Sequence, residues 1–443
     1  MPLIRSVSGI RGIIGEDFNP EVILSYLGAF SQIIPPGNVL VGRDPRSTGD
    51  SLSKIVGGTL QALGRDVIDL GIVTTPTVLI NVKQLCASGA IIITASHNPQ
   101  PWNALKMVGP QGLFLNSDEI NKLFQKADEN NSSWKSWSDY GNYQKSSQGA
   151  ANHLALLLKS RWFTPCSSLK VIIDTAGGAS ATILPQLCEQ LKCKLVEVIG
   201  EKPDSNFTRE LEPICKNLGS LKHKIKNNPG TIGLATDTDG DRLALIDEQG
   251  NCIGEERTLQ LAVKAVLQKN KGAVVANVST SAGTAIIARQ AGCEFFTSPV
   301  GEAKVVEEMI KRQAIIGGEG NGGVIFPEIH PVRDAQTAAL LILGFLQQNN
   351  ITLSQAVKDL PKLFMEKDKI PISANYDDLS KISSIFSDPE IVEVDGLKII
   401  QGKEWVHVRK SGTEPVIRII SEAEQPQRAK QLVDKVKNII RGS

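Results

Sequence analysis

The 443-residue chain has almost no charge imbalance: 48 Lys and Arg stand against 47 Asp and Glu, a formal net charge of +1. A surface so balanced has no strong field for gathering nucleic acid or an anionic membrane, and neither is expected as a partner. Long apolar runs are missing too. The most apolar helix-like stretch, TAALLILGFL, is too short to cross a bilayer. The opening MPLIRSVSGIRG has no long h-region, so no secretory leader is expected. Seven cysteines are scattered without a C-x-x-C pair, and five histidines without an H-x-x-x-H spacing. This argues against a disulfide framework or a zinc ribbon and for a reduced, cytoplasmic chain.

The composition that remains, 41% hydrophobic and 21% charged, is that of an ordinary globular protein. The length suggests about three domains at roughly 150 residues each. Short apolar runs alternate with helical patterns. NVLVGRD reads as strand then loop. TGDSLSKIVGGTLQALG reads as a helix, with Leu52, Ile55, Val56 and Leu60 near helical spacing and Gly64 as its stop. DVIDLGIVTTP and GAIIITASHNP return to strand. The alternation predicts α/β layers with largely parallel sheets.

Composition changes at NNSSWKSWSDYGNYQKSSQG, read as a connector formed by a surface turn or short helix, because too few basic residues interleave its aromatics for base stacking. The predicted division is residues 1–149, 150–251 and 252–365 as three α/β units, and 366–443 as a smaller domain entered through PKLFMEKDKIPISANYDD. That last part holds the hairpin EWVHVRKSGTEPVIRIISEA and a closing helix with Ala429, Leu432, Val433, Val436 and Ile440 on one face. Each of the three α/β units has a strand that breaks into a Gly- or Asp-rich polar turn.

Those turns carry the chemistry. In LATDTDGDRLALI, Asp237, Asp239 and Asp241 alternate between two apolar strands. Three carboxylates this close repel unless a cation sits among them, and hard oxygens in a small loop suit Mg²⁺. An EF-hand would need Gly where Arg242 stands, and an aspartyl-phosphate motif would need Thr or Val in place of Asp241. In VRKSGTEPVIR, Arg409, Lys410 and Arg418 surround a Ser-Gly-Thr turn. The turn is either a charged hairpin or an anion cradle with guanidinium forks for a phosphate. GGEGNGG, Gly317 to Gly323, is either a flexible turn or a loop that lets backbone approach a ligand, with Glu319 and Asn321 facing sugar hydroxyls. In TASHNP, Ser96 lacks the G-x-S-x-G elbow of a hydrolase, and the adjoining His97 cannot easily turn onto its hydroxyl. Ser96 is either a loop cap or a phosphorylation site. A phosphoserine would share a metal with the Asp turn, with Lys106 and Arg11 as further cations.

Taken together and in this order, TASHNP, DTDGDR, GEGNGG and RKSGTEP resemble the phosphoserine, magnesium, sugar-recognition and phosphate-binding loops of the α-D-phosphohexomutase superfamily. SGIRG and VGRDPRSTG resemble its N-terminal signatures, so the likeness covers essentially the whole chain. It implies three similar α/β domains with mixed sheets and a smaller α+β C-terminal domain around a central cleft. It implies that Ser96 carries the phosphoryl group and that Asp237, Asp239 and Asp241, with that phosphate, bind Mg²⁺. Arg11, His97 and Lys106 become catalytic-site basic residues, Lys106 the proton shuttle, and Arg242 helps to order the site. Lys304, Glu319 and Asn321 lie by the sugar, and Arg409, Ser411, Gly412, Thr413 and Arg418 hold the non-reacting phosphate. The implied reaction interconverts hexose 6-phosphate and 1-phosphate through a hexose 1,6-bisphosphate, in a monomer or homodimer. Asn321 and Gly323 depart from the Ser and His common in the sugar loop. The SGIRG opening and overall size point to glucosamine phosphate. A mannose/glucose phosphate mutase of broad specificity and a non-catalytic sugar-phosphate sensor are the alternatives.

Overall fold

A computed structural model describes residues 3–372, 379–411 and 416–442. It contains four sheets, and the first three repeat one unit. In the first, parallel strands Val67–Ile72, Val39–Arg43 and Gly89–Ile93 lie side by side, and Trp102–Val108 runs antiparallel to the last. In the second the same order is Lys194–Ile199, Lys170–Asp174 and Thr231–Thr236, with Leu243–Ile246 antiparallel. In the third it is Phe295–Ser298, Val274–Asn277 and Ile316–Glu319, with Gly323–Phe326 antiparallel. The hairpin that ends each unit holds, in turn, Ser96, the three aspartates, and Glu319 with Asn321. Three loops with no residue-level similarity therefore occupy one topological position. Sheets that mix parallel and antiparallel strands, as the family resemblance implied and in place of the largely parallel sheets read from the alternation, follow directly from these hairpins.

Central parallel strands such as Gly89–Ile93 and Val274–Asn277 are buried on both faces, which explains their unbroken apolar runs. In GAIII, Ile91 and Ile93 pack into a cluster with Val39, Val41 and Phe30, while Ala90 and Ile92 pack on the opposite face with Leu40 and Val78. Truncating such a residue, as in Ile92→Ala, costs about 2–5 kcal/mol. The helix Gly49–Ala62 buries Leu52, Val56 and Leu60. The second and third sheets share one core, in which helix Ala335–Asn349 is buried from Ala335 through Leu346. No described helix is long and apolar enough to cross a membrane.

The fourth sheet is wholly antiparallel, in the order Phe364–Pro371, Val416–Ala423, Glu404–Lys410, Leu397–Gln401, Glu390–Val392. Helix Pro426–Gly442 covers it with the expected stripe of Ala429, Leu432, Val433, Val436 and Ile440, set against Val406, Val408, Ile417 and Ile419. Two segments carry more structure than the sequence reading gave them. The crossing read at PKLFMEKDKIP is an edge strand paired along Val416–Ala423. The aromatic connector folds back on the first sheet. Its Lys135 and Gly141 donate to Ala62 and Gln61 carbonyls, a 3₁₀ turn forms at Trp137–Asp139, and Tyr143–Lys145 becomes a seventh strand.

Candidate active site

The Ser96 loop is built around one buried arginine. Strand Val39–Arg43 ends at Asp44, whose carboxylate holds Arg46 Nε at 3.1 Å. The guanidinium then donates to four carbonyls of the loop and its exit: Ser96 and Asn98 at 2.6 Å, Pro99 at 2.9 Å and Trp102 at 3.2 Å. Thr94 Oγ1 donates to Asp44 at 2.6 Å and accepts from the Ser96 amide at 2.9 Å. These contacts hold Ser96 in the left-handed region, φ 50°. This conformation is unfavourable for a residue with a Cβ and is found mostly where function demands it. The Ser96 hydroxyl donates to Asp237 Oδ2 at 3.0 Å, and His97 Nδ1 is 3.4 Å away.

The aspartate loop is braced from the first domain. Helix Thr75–Gln84 begins where Thr74 accepts from the Thr77 amide, and its Thr75 amide and hydroxyl both donate to Asp239, each at 2.8 Å. Gly240 turns the loop at φ 68°, where a Cβ would come within 2.4 Å of Ser180 Oγ. Lys106, from strand Trp102–Val108, places Nζ 2.6 Å from Asp239 Oδ2. Burial opposes its charge, but Asp239 and Asp241 outweigh burial and raise its pKa. Asp237 is pushed well above the usual carboxylate range by burial and then by Asp241 and Asp239. For Asp239, burial is overcome by Lys106, and the pKa is lowered.

This is the one group among the described residues with three acidic, His or Cys side chains arranged for a metal, their ligand atoms lying within 4.8 Å of one another. A metal fits the donor set for a further reason. Asp239 and Asp241 each have Oδ2 anchored, by Lys106 with Thr75 and by Arg333, while each Oδ1 is buried without a hydrogen-bond partner, Arg242 Nε lying 3.7 Å from that of Asp241. Buried carboxylate oxygens left bare are costly, and a cation would satisfy both.

Around this cluster stand Arg242, 3.7 Å from Asp241 and 3.5 Å from Glu212, and Arg11, which donates to Asn98 Oδ1 at 2.8 Å. Arg242 first, then burial and Arg11, hold the His97 imidazole well below its ordinary pKa, so it is neutral. Ser96, His97, Lys106, Arg11, Arg242 and the three aspartates are thus brought together.

Glu319 joins them through Arg333, which donates to Glu319 Oε2 at 2.7 Å and Asp241 Oδ2 at 2.5 Å. Glu319 Oε1 accepts from Asn277 at 2.8 Å and the Gly301 amide at 3.0 Å. Asn321 reaches Glu319 at 3.5 Å and accepts from the Gly323 amide. The glycines of this loop serve close packing within the protein itself. A Cβ on Gly320 would strike Glu256, and one on Gly322 the Leu243 carbonyl.

Arg409, Ser411 and Arg418 lie in the fourth sheet. Arg418 Nε donates to Ser411 Oγ at 3.2 Å, and Arg409 pairs with Asp395 at 3.1 Å. Asp395 also accepts from the Val300 amide, next to the Gly301 amide that holds Glu319. Gly412 and Thr413 lie outside the described residues. Lys304 stands apart: its ammonium bonds Ser117 and Glu307 where the first and third domains meet. Sequence reasoning passed over Arg46, Arg333, Thr75 and Asp44. The spacing Asp44-Pro-Arg46 just after a strand was a usable signal for Asp44 and Arg46. Arg333 has none nearby.

Four family models match the chain in sequence order: phosphoglucomutase/phosphomannomutase alpha/beta/alpha domain I over residues 3–134, domain II over 158–250, domain III over 255–364, and the C-terminal domain over 357–439. A Thermococcus kodakarensis protein named phosphoglucomutase/phosphomannomutase is 32% identical over 442 residues, covering 96% of each chain. A Methanopyrus kandleri protein named probable phosphoglucosamine mutase is 30% identical over 440 residues, 98% of this chain and 97% of its own. The crystal structure of a Burkholderia thailandensis phosphoglucomutase/phosphomannomutase family protein superposes with a TM-score of 0.86 at 25% identity, covering 99% of this chain and 97% of that one.

Proposed function

The chain belongs to the phosphoglucomutase/phosphomannomutase family, and from that membership we propose that it is a phosphohexomutase that isomerises glucosamine 6-phosphate and glucosamine 1-phosphate. The observation that carries the reading is the hydrogen bond between Ser96 Oγ and Asp237. It joins the candidate phosphoryl carrier to the candidate metal loop.

In this reading Ser96 carries a phosphoryl group and delivers it to the free hydroxyl of the bound sugar phosphate. The Ser96 O–P bond breaks as the sugar O–P bond forms, and the proton given up by the sugar hydroxyl ends on the freed Ser96 Oγ. The resulting 1,6-bisphosphate reorients, and Ser96 takes back the other phosphate. Asp237, Asp239 and Asp241 would hold Mg²⁺, which would supply charge neutralisation to the phosphoryl oxygens when bound. Arg11 and Arg242 supply fixed positive charge beside the Ser96 loop. Lys106 holds a proton at Nζ on the same carboxylate cluster, and His97 is kept neutral by the guanidinium charge beside it. Glu319 and Asn321 would orient the sugar. Arg409, Ser411 and Arg418 would grip the phosphate that is not reacting, in a domain joined to the sugar loop through Asp395, Val300 and Gly301.

A second reading, one enzyme of broad specificity for glucose and mannose phosphates, is favoured by Asn321 and Gly323, whose small and neutral groups do not single out one substituent at C2. The test is turnover of glucosamine, glucose and mannose 1-phosphates, each with its bisphosphate as activator. The highest kcat/KM should fall on glucosamine 1-phosphate. Comparable values for all three would favour the second reading, and no turnover of any would leave a sensor of sugar phosphates.

A further inference from the structure

Arg333, at the end of strand His330–Arg333, is the one side chain that bonds directly to both the aspartate loop and Glu319 among the described residues. Its amide and Nε donate to Glu302 at 2.7 and 3.0 Å, Nη1 to Glu319 Oε2 at 2.7 Å and Nη2 to Asp241 Oδ2 at 2.5 Å. One planar cation thus faces three buried carboxylates that come from two sheets. Only an arginine can do this, because its donors form a rigid fork, whereas an ammonium is a single point of charge.

The consequence lies in what each partner has left over. Holding Asp241 by Oδ2 leaves its Oδ1 without a hydrogen bond, beside Asp237 and Asp239. Holding Glu319 by Oε2, with Oε1 fixed by Asn277 and Gly301, leaves that carboxylate a single orientation. Glu302 pins the guanidinium from behind, so it cannot follow one partner without straining the other. A ligand that draws on Glu319 changes the grip on Asp241, and a cation on Asp241 changes the grip on Glu319. By linkage the two effects are equal in free energy.

We propose that Arg333 is a positioning residue that couples the two halves of the site, so that divalent-cation affinity at the aspartate cluster depends on phosphosugar occupancy at Glu319, and the reverse. The inference rests on the metal and sugar roles given under Proposed function.

The test reads binding, independently of turnover. Mn²⁺ is titrated into the full chain by electron paramagnetic resonance, with and without saturating glucose 1-phosphate. In the wild type the sugar phosphate should shift Mn²⁺ affinity by about fivefold or more. Arg333→Lys keeps the charge and loses the fork. Its Mn²⁺ affinity should fall by about tenfold, the loss typical of a residue that orients a metal ligand, and the shift on adding sugar should shrink to within about twofold of none. A purely structural arginine would not erase the shift. Arg333→Lys with wild-type affinity or a wild-type shift overturns the proposal. If thermal melting shows that this variant does not fold, Glu319→Gln decides. Glu319 is outside the aspartate cluster, yet its neutralisation releases Arg333 from one partner and alters its grip on Asp241, so Mn²⁺ affinity should change by about threefold or more. Unchanged Mn²⁺ binding there also overturns the proposal. Mn²⁺ binding that survives Asp241→Asn undiminished would strike instead at the metal role itself, which keeps the two failures apart.

Discussion

The hydroxyl of Ser96 donates to Asp237 Oδ2 at 3.0 Å, although the residues are 141 positions apart and emerge from different sheets. Each sits in the hairpin that closes its α/β unit. The contact therefore follows from two copies of one topology meeting at equivalent loops.

Two substitutions at Ser96 separate chemistry from conformation. Ser96→Ala removes the oxygen that would carry phosphate, and mutase turnover should fall roughly 10⁴-fold or more, as when a covalent nucleophile is deleted. The φ of 50° is retained, so stability should change little. Ser96→Gly loses the same oxygen but also relieves the left-handed strain, and denaturant unfolding should show it about 1 kcal/mol more stable than the alanine variant. Retained turnover in either variant would remove Ser96 from the mechanism.

Arg46 tests whether the loop or the hydroxyl alone matters. With its side chain fully buried and its guanidinium committed to four carbonyls and Asp44, Arg46→Ala should cost about 3–5 kcal/mol, the usual result of stranding a buried partner. Arg46→Lys keeps the charge but cannot span the loop. Its kcat should drop by about 10²-fold, the effect of a 1 Å misplacement at the reacting centre, with KM nearly unchanged. A lysine variant with normal kcat would mean that the loop holds its shape without the fork.

What the sequence made legible is local. Each chemistry loop packs its side-chain types into a few consecutive residues between strands, so Ser96, the three aspartates and Glu319 could be picked out before any coordinates. Their braces could not. Arg46 reaches Ser96 across 50 positions and Arg333 reaches Asp241 across 92, and neither distance leaves a mark on a local window. The strand Phe364–Pro371 escaped for a different reason. It is an edge strand, mostly exposed, with charges at consecutive positions, which is how edges avoid unwanted pairing and also how they lose their period of two. The glycines at Gly317 to Gly323 were legible as close approaches, and within the protein the atoms that approach include its own backbone and Glu256.

His407 makes the contact between the fourth domain and the third sensitive to pH. Its Nε2 lies 2.6 Å from the Asp395 carbonyl, which can only accept, so Nε2 carries the hydrogen and Nδ1 accepts from Ser279 at 3.0 Å. Burial, helped by Lys398, lowers its pKa from 6.5 to about 4. An unfolded chain takes up the proton near pH 6.5 and the folded one resists until about pH 4, so stability is lost as pH falls between those values, by up to about 1.4 kcal/mol per pH unit. Glu256, raised to about 7 chiefly by burial, acts oppositely, because its contribution is lost as pH rises towards 7. The two slopes offset each other in the wild type. The informative quantity is the difference between wild type and His407→Gln, measured by denaturant unfolding from pH 7 to 4.5. The variant should lose one proton's worth of slope, and a difference that is flat with pH would show that His407 does not titrate in this window.

Arg418 and Arg409 face each other directly across neighbouring antiparallel strands. Residues so paired share a face, and like charges there are destabilising by about 0.2–1 kcal/mol. Asp395 lies 3.1 Å from Arg409, and Arg418 donates to the Ser411 hydroxyl, so two guanidinium groups are held side by side on one face of the sheet. A phosphate arriving there would gain charge-assisted bonds worth about 1.5–3 kcal/mol. Arg418→Ala should accordingly raise the KM for sugar phosphates by about 10- to 100-fold and leave kcat within a few-fold, since the grip acts on the phosphate that is not transferred. Inorganic phosphate should raise the melting temperature of the wild type more than that of the variant. A fall in kcat at unchanged KM would instead place Arg418 with the reacting phosphate, and the division of labour between the first and fourth domains would have to be reversed.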